Sequence, residues 1–349
     1  MLISEAEATI LVSAPPSRED YDDDYVQILA YPFDTVVGTI DVSDGTVMST
    51  ARQPEGLGWA FGRNMALADV TGDGVAEFLV GDNRIGTWDD YGGFYERQRF
   101  WITSGTPGGE VTSGDRLWEI PTSCWEDCGV SDLLVHDVDG DGLNDVLLGY
   151  EPNTPFITQW AGPLAGWPYD APDREIAARS GRDVTLTAGD MNGDGYDDVF
   201  VGMPSVGNAG HLLPGPLAAT SLEDATSRIE GDPSEAGYRR PSDPGRAVTL
   251  DCDMDGDGRR DLVITQSLGT DGTGAVYVVP SPLPASVVLA DEYTLARGYR
   301  NAQIGWDVAC MGDLDQDGRD DVATTASGTD ATGEQASGIG EVWILLSDL

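Results

Sequence analysis

Asp137-Val-Asp-Gly-Asp-Gly-Leu-Asn-Asp145 runs directly into Val146-Leu-Leu-Gly149, a cluster of acids and glycines followed by a short apolar run. Four further copies of the nine-residue pattern are Asp69-Val-Thr-Gly-Asp-Gly-Val-Ala-Glu77, Asp190-Met-Asn-Gly-Asp-Gly-Tyr-Asp-Asp198, Asp253-Met-Asp-Gly-Asp-Gly-Arg-Arg-Asp261 and Asp313-Leu-Asp-Gln-Asp-Gly-Arg-Asp-Asp321. Alternate acids on a tightly turning backbone can converge on one point. That chemistry suits a hard divalent cation, which takes six to eight oxygens at about 2.3–2.6 Å. The pattern therefore reads as a calcium loop, giving up to five Ca2+ sites.

The expected side-chain ligands stand at positions 1, 3, 5 and 9 of each copy. They are Asp69, Thr71, Asp73 and Glu77 in the first loop and Asp137, Asp139, Asp141 and Asp145 in the second. Asp190, Asn192, Asp194 and Asp198 serve the third, Asp253, Asp255, Asp257 and Asp261 the fourth, and Asp313, Asp315, Asp317 and Asp321 the fifth. The backbone carbonyl at position 7 belongs to Val75, Leu143, Tyr196, Arg259 or Arg319. Position 9 is expected to be bidentate, with water completing the shell. The glycine at position 6 (Gly74, Gly142, Gly195, Gly258 or Gly318) suits a turn that needs positive φ. Thr71 and Asn192 leave the first and third loops with three carboxylates where the others have four. The first is expected to be the weakest, because a hydroxyl is a poor substitute for a carboxylate. A metal-free, solvated Asp-Gly turn would account for one such copy more easily than for five.

Two other calcium architectures share the early spacing and fail further along. An EF-hand or dockerin loop needs an acid at position 12 and then a helix. Position 12 here is Val80, Leu148, Val201, Ile264 or Thr324, within short apolar runs such as Leu262-Val-Ile-Thr265 that read as strands. Thrombospondin-type arrays would set the loops nearly back to back, whereas these begin 68, 53, 63 and 60 residues apart. Each loop is therefore expected to link two strands inside a larger repeating unit.

A period near sixty with several short strands per unit predicts an all-β fold, a β-propeller of successive small sheets that cover one another's faces. The unit reads as a strand such as Val184-Thr-Leu-Thr187, the loop, a second strand such as Asp198-Val-Phe-Val-Gly202, and a third such as Gly274-Ala-Val-Tyr-Val-Val279. A less regular fourth strand then returns the chain.

With these loops in place, the chain resembles the FG-GAP repeat family, the calcium-binding propeller repeats of integrin α-subunits and many bacterial surface proteins. Phe61-Gly62 before the first loop is similar to the family's Phe-Gly, and Ile304-Gly305 is a relaxed version before the last. Ser13-Ala14-Pro15 and Gly202-Met203-Pro204 resemble the Gly-Ala-Pro that ends the second strand. Gly81-Asp82, Gly149-Tyr150-Glu151-Pro152 and Thr265-Gln266-Ser267 depart from it. Six repeats are expected within one domain, at about 1–57, 58–128, 129–180, 181–241, 242–301 and 302–349. The first starts at its second strand, Thr9-Ile-Leu-Val-Ser13, and the last stops after its third, Val342-Trp-Ile-Leu-Leu346. A propeller left open there would expose a sheet edge, so the expectation is a piece of a longer ring, of seven blades.

Composition narrows the function. The 349 residues carry a formal net charge of −42 from 61 acids and 19 bases, all of them arginine, which makes nucleic acid a poor partner. A saline extracellular setting would screen that charge, since the Debye length falls to about 3 Å at 1 M salt; an acidic surface also favours solubility. No apolar run reaches the length of a membrane span. Met1-Leu-Ile-Ser4 lacks the basic start and apolar stretch of a signal peptide, so either the signal has been removed or the sequence begins inside its gene.

Cys124 and Cys128 flank Trp-Glu-Asp in an expected inter-blade loop, where a local disulfide and free thiols are evenly matched readings. Cys252 and Cys310 precede the loops of neighbouring repeats and are expected to be buried free thiols, with a bridge as the alternative. The cysteine spacing resembles no zinc site.

No catalytic residue emerges. His136 precedes the second loop and His211 is expected to start a strand, and neither joins a recognisable triad. Most carboxylates are accounted for as metal ligands or loop acids, rather than as a pair poised for glycoside cleavage. Trp59, Trp88, Trp101, Trp118, Trp125, Trp160 and Trp167 concentrate in the second and third repeats. Trp88, Tyr91, Phe94 and Tyr95 could stack on sugars or anchor a protein, although packing between blades is the simpler reading. The acidic stretch Glu19-Asp-Tyr-Asp-Asp-Asp24 reads as a solvated loop. The family resemblance implies a non-enzymatic, extracellular, calcium-stabilised bacterial module that binds a protein or glycan. A propeller hydrolase or lyase acting on polysaccharide and a purely structural spacer are the rival readings.

Overall fold

The computed structural model describes residues 2–4, 9–14, 25–32, 46–52, 64–88, 94–104, 109–111, 116–121, 130–150, 156–164, 172–177, 184–203, 209–232, 244–267, 272–300, 302–326, 341–347 and 349. Cys124, Cys128, Tyr91, Phe61-Gly62, Trp59, Trp125, Trp167 and the stretch 19–24 lie outside them. Two compact units divide the chain. One comprises Met1–Asp137, Gly142–Asn153 and Ile157–Glu175; the other comprises Val138–Asp141, Thr154–Phe156 and Ile176–Leu349.

The described structure is built from strands in successive antiparallel sheets. The first sheet holds β1 (Leu2–Ser4), β2 (Thr9–Ala14), β3 (Tyr25–Pro32) and β4 (Thr46–Arg52) in that order. The second holds β5 (Met65–Ala68), β6 (Glu77–Trp88), β7 (Phe94–Ser104) and, after the short β8 (Gly109–Val111), β9 (Arg116–Pro121). β10 (Val130–His136), β11 (Asp145–Tyr150), β12 (Phe156–Trp160) and β13 (Arg174–Ala177) make the third. The fourth is β14 (Thr185–Gly189), β15 (Asp198–Met203), β16 (Ala209–Leu213) and β17 (Ser227–Glu230). The fifth is β18 (Pro244–Cys252), β19 (Asp261–Gln266), β20 (Ala275–Val279) and, after β21 (Ser286–Val288), β22 (Tyr293–Arg297). β23 (Ile304–Gly312), β24 (Asp321–Ala326) and β25 (Glu341–Leu345) form the sixth. Up-and-down sheets in chain order are the units from which propellers are built.

Stacking follows from the two-residue period of strands. In the second unit Leu262 and Ile264 of β19 join Tyr277 and Phe200 in one cluster, while Val263 between them joins Val276, Met254 and Val322 in another. The fifth sheet is thus covered on both faces, and the middle strands β11, β15 and β19 are buried at every residue. Their continuous apolar runs are what a strand buried on both sides requires.

Neighbouring sheets are also tied through the backbone. The segment between the third and fourth strands of one sheet runs parallel to the outer strand of the sheet before it. β8 pairs with β4 and β21 pairs with β17, and Ala177 bridges Ser221 in the same sense. Glycine allows close approach elsewhere. Gly305, the glycine of the relaxed Phe-Gly, has φ 92°, and a Cβ there would stand 2.7 Å from Cβ of Thr265. Thr265 Oγ1 donates to the Gly305 carbonyl at 2.8 Å.

Three expectations fail here. The first repeat does not begin at its second strand, because β1 (Leu2–Ser4) precedes β2 and pairs with it. Cys252 and Cys310 are joined in a disulfide, with Cα atoms 5.5 Å apart, and are not free thiols. Adjacent sheets place the ends of β18 and β23 side by side, which supplies the separation a bridge needs. His211 also lies mid-strand in β16, opposite Val201 and Arg228, rather than at the strand's start. Trp88 and Phe94 are opposite one another at the end of the long β6–β7 hairpin.

Candidate metal centre

Each of the five acidic loops joins the first strand of a sheet to its second: β5 to β6, β10 to β11, β14 to β15, β18 to β19, and β23 to β24. No helix flanks them. The glycine at position 6 has φ between 85° and 93° in all five loops, as the tight turn requires.

Backbone N–H groups aim the carboxylates inward. One oxygen of the position 1 acid accepts from the position 6 glycine, at 2.7 Å in Asp69, 2.8 Å in Asp137, 2.9 Å in Asp190, 2.8 Å in Asp253 and 2.9 Å in Asp313. Position 3 accepts from the N–H of position 5, at 3.2 Å to Asp139, 2.8 Å to Asn192, 3.0 Å to Asp255 and 3.2 Å to Asp315. Position 5 accepts from position 7, as Asp73 does from Val75, Asp194 from Tyr196, Asp257 from Arg259 and Asp317 from Arg319. Such bonds fold the loop around its own acids and orient one oxygen of each.

The position 9 acid is buried and differs in kind. In the third, fourth and fifth loops its two oxygens accept from the N–H of position 2 and from the N–H of a residue just beyond the third strand. In the third loop Asp198 accepts from Met191 at 3.2 Å and from Gly215 at 2.9 Å. In the fourth, Asp261 accepts from Met254 at 2.8 Å and Ser281 at 2.9 Å; in the fifth, Asp321 accepts from Leu314 and Ser347, both at 2.9 Å. Glu77 accepts from Val70 at 3.0 Å, and Asp145 from Gly162 at 2.9 Å. Burial pushes the carboxyls of Asp198 and Asp261 up to about 6, and the acids at positions 1 and 3 or 5 add repulsion that the N–H donors only partly offset.

Carboxylate oxygens gather within 4.8 Å of one another in four loops: Asp69, Asp73 and Glu77; Asp137, Asp139 and Asp145; Asp253, Asp255 and Asp261; Asp313, Asp315 and Asp321. These clusters could hold a metal ion. The donors are hard oxygens only, which suits calcium or magnesium rather than zinc or copper. Asp141, Asp257 and Asp317 at position 5 stand outside the clusters. The third loop gathers no such trio among the described residues, and its Asn192 instead donates to Asp198 at 3.2 Å.

Sequence reading missed the tripeptides Gly162-Pro163-Leu164, Gly215-Pro216-Leu217 and Ser281-Pro282-Leu283, whose first peptide bonds are cis. The first residue donates to the position 9 acid of its own sheet's loop. Leu164 N–H donates to the carbonyl of Val70 and Leu217 N–H to that of Val138, both at 2.7 Å, so the third residue reaches position 2 of the preceding loop. Asn144, at position 8, likewise donates its side-chain amide to the Asp69 carbonyl at 2.9 Å. The signal was a small-Pro-Leu tripeptide repeated 17 to 20 residues after the second, third and fourth loops.

Comparison with known proteins agrees with this geometry. The FG-GAP-like repeat family matches residues 137–201, and the FG-GAP repeat family matches residues 244–279 and 305–345. The chain is also similar to integrin alpha-PS2 of Drosophila melanogaster, 32% identical over 180 residues. That similarity covers 44% of this chain and 12% of the relative.

Proposed function

Because the chain belongs to the FG-GAP, integrin α-like repeat family, we propose that it is a calcium-stabilised, extracellular β-propeller module that binds a protein or glycan partner without chemical turnover. The observation that carries the calcium part is the convergence of three carboxylates within 4.8 Å at the tips of four of the five hairpins. The ligand set we propose comprises positions 1, 3, 5 and 9 with the position 7 carbonyl in each of the five loops. Calcium there would neutralise charge that the fold itself crowds together; the chain's own N–H groups hold the acids in place.

The partner and the location rest on the family alone. Integrin alpha-PS2 is much longer than the matched segment, so its likeness supports an adhesion-type module and names no ligand. No helix among the described residues is long and apolar enough to cross a membrane. Bacterial origin, a single domain with the repeat boundaries given above, and a ring of seven blades in the complete protein belong to the same proposal.

Elemental analysis of native protein dialysed against millimolar calcium tests the metal; metal-free protein would reject it. Glycan arrays and surface-protein pull-downs, run beside a polysaccharide turnover panel, test the rest. Calcium-dependent binding without products supports the module. Product formation would replace it with a hydrolase or lyase, and calcium uptake with no partner would leave a spacer.

A further inference from the structure

In the second unit the fourth and fifth loops are fastened to one another at several points. The Asp253 N–H donates to Oδ2 of Asp320 at 2.8 Å, and the Asp320 N–H donates back to the Asp253 carbonyl at 2.8 Å. The guanidinium of Arg260 lies 3.7 Å from the same carboxylate. A Cβ on Gly256 would stand 3.1 Å from the Gly318 carbonyl and 3.5 Å from Cγ of Arg319. Ser347 donates its N–H to Asp321 and its hydroxyl, at 2.6 Å, to the Met254 carbonyl, so one residue holds both loops. Below them the Cys252–Cys310 disulfide joins the strands that enter the loops. Around Gly193, the corresponding glycine of the third loop, a Cβ would meet nothing within 4 Å.

We propose that the fourth and fifth loops bind their cations as one coupled pair, with Asp320 as the positioning residue that transmits the coupling. This rests on the calcium reading above. Asp320 is not an expected ligand, but it lies between the Arg319 carbonyl and the Asp321 carboxylate, which are. Its own N–H and side chain hold the backbone of Asp253, whose carboxylate opens the fourth loop. A cation that fixes residues 319–321 therefore fixes the two points on which Asp253 rests, and reciprocity makes the effect run equally in the other direction. Nothing closes on Gly193 as Gly318 and Arg319 close on Gly256, so the third loop binds independently of the fourth.

Terbium luminescence can separate the loops in the full chain. Tyr196, at position 7 of the third loop, sensitises terbium bound there, and Arg259→Trp places an indole at the same position of the fourth. In that background Asp317→Ala removes one proposed ligand of the fifth loop. It is expected to weaken terbium binding at the fourth by about fivefold or more, with the Tyr196 signal titrating as before. Asp320→Ala, which removes no expected ligand, should give the same loss, and Asp320→Asn, which keeps an oxygen to accept from Asp253, a smaller one. Circular dichroism and non-reducing peptide mapping verify that the fold and the bridge are intact; should Asp317→Ala fail to fold, Asp320→Ala decides alone. Unchanged fourth-loop affinity in the folded variants would overturn the coupling while leaving the calcium reading in place. Equal losses at the third and fourth loops would overturn it as general destabilisation. Failure of the parent protein to take up terbium or calcium at any loop would remove both.

Discussion

The backbone N–H of Gly215, just beyond the third strand, donates to Oδ1 of Asp198, the last residue of the third loop, at 2.9 Å across a separation of 17 residues. The other oxygen accepts from Met191 within the loop. One carboxylate thus ties the loop to its own sheet before any cation is present.

A structural role for position 9 should survive removal of metal. Asp198→Ala strands two N–H groups, each costing about 1–3 kcal/mol when left unpaired in a buried setting. Urea unfolding in excess EDTA is expected to show a loss of that order. Asp194→Ala, at an exposed position, should change the same measurement by less than about 0.5 kcal/mol and lower only calcium affinity. Equal losses in EDTA would contradict the distinction.

Acid should affect the metal-free and calcium-loaded proteins in opposite ways. The carboxyls of Asp198 and Asp261 are raised by burial to about 6 from 3.8, so the fold binds their protons more tightly than the unfolded chain does. Their contribution to metal-free stability is complete below the unfolded value and is lost as pH rises through about 6. Calcium needs both groups ionised, so its affinity falls over the same window. Melting in EDTA should therefore rise between pH 7 and pH 5 while the increment from calcium shrinks. A metal-free melting temperature that stays level or falls over that window would reject the assignment.

Chelation at neutral pH should be costly. At free calcium about one hundred times the dissociation constant, each filled loop contributes roughly 2.7 kcal/mol to folding, and five approach about 13. Differential scanning calorimetry with and without EDTA reads the difference directly. An unchanged melt would count against calcium stabilisation.

Glycine at position 4 should matter where the next loop covers it. Gly140 has φ 79°, and a Cβ there would stand 2.7 Å from the Tyr196 ring; Gly193 has φ 76° with open space around it. Gly193→Ala is expected to cost about 1–2 kcal/mol from the left-handed backbone alone. Gly140→Ala should cost more, and Tyr196→Ala should recover the excess. Equal costs in urea unfolding would show that the ring contact has no effect.

The Cys252–Cys310 bridge closes a separation of 58 residues, for which the chain-entropy relation gives about 4 kcal/mol of stabilisation. Non-reducing peptide mapping should recover the two cysteines in one cross-linked fragment, and reduction should lower the urea midpoint. Alkylation of both thiols in unreduced, denatured protein would disprove the pairing.

The loops and their flanking strands were legible because every piece of them is local. Asp253, Asp255, Asp257, Gly258 and Asp261 lie within nine residues, and Leu262-Val-Ile declares the buried strand that follows. The inward aim of the first and third acids follows from N–H donors a few residues away. The third loop shows where local reading stopped short. Asn192 keeps the spacing, but its amide donates to Asp198, and no trio of carboxylates gathers there among the described residues.

Sequence alone determined an all-β chain with five acidic hairpin tips in repeating units, since turn chemistry, ligand spacing and apolar runs are all set by residues close in the chain. Tertiary structure alone decided that Cys252 meets Cys310, that Leu164 and Leu217 reach back to the preceding loops, and that Asp320 holds Asp253. These partners are some 58 to 94 residues apart. Which of them meet depends on how one sheet stacks against the next, a register that no local pattern specifies.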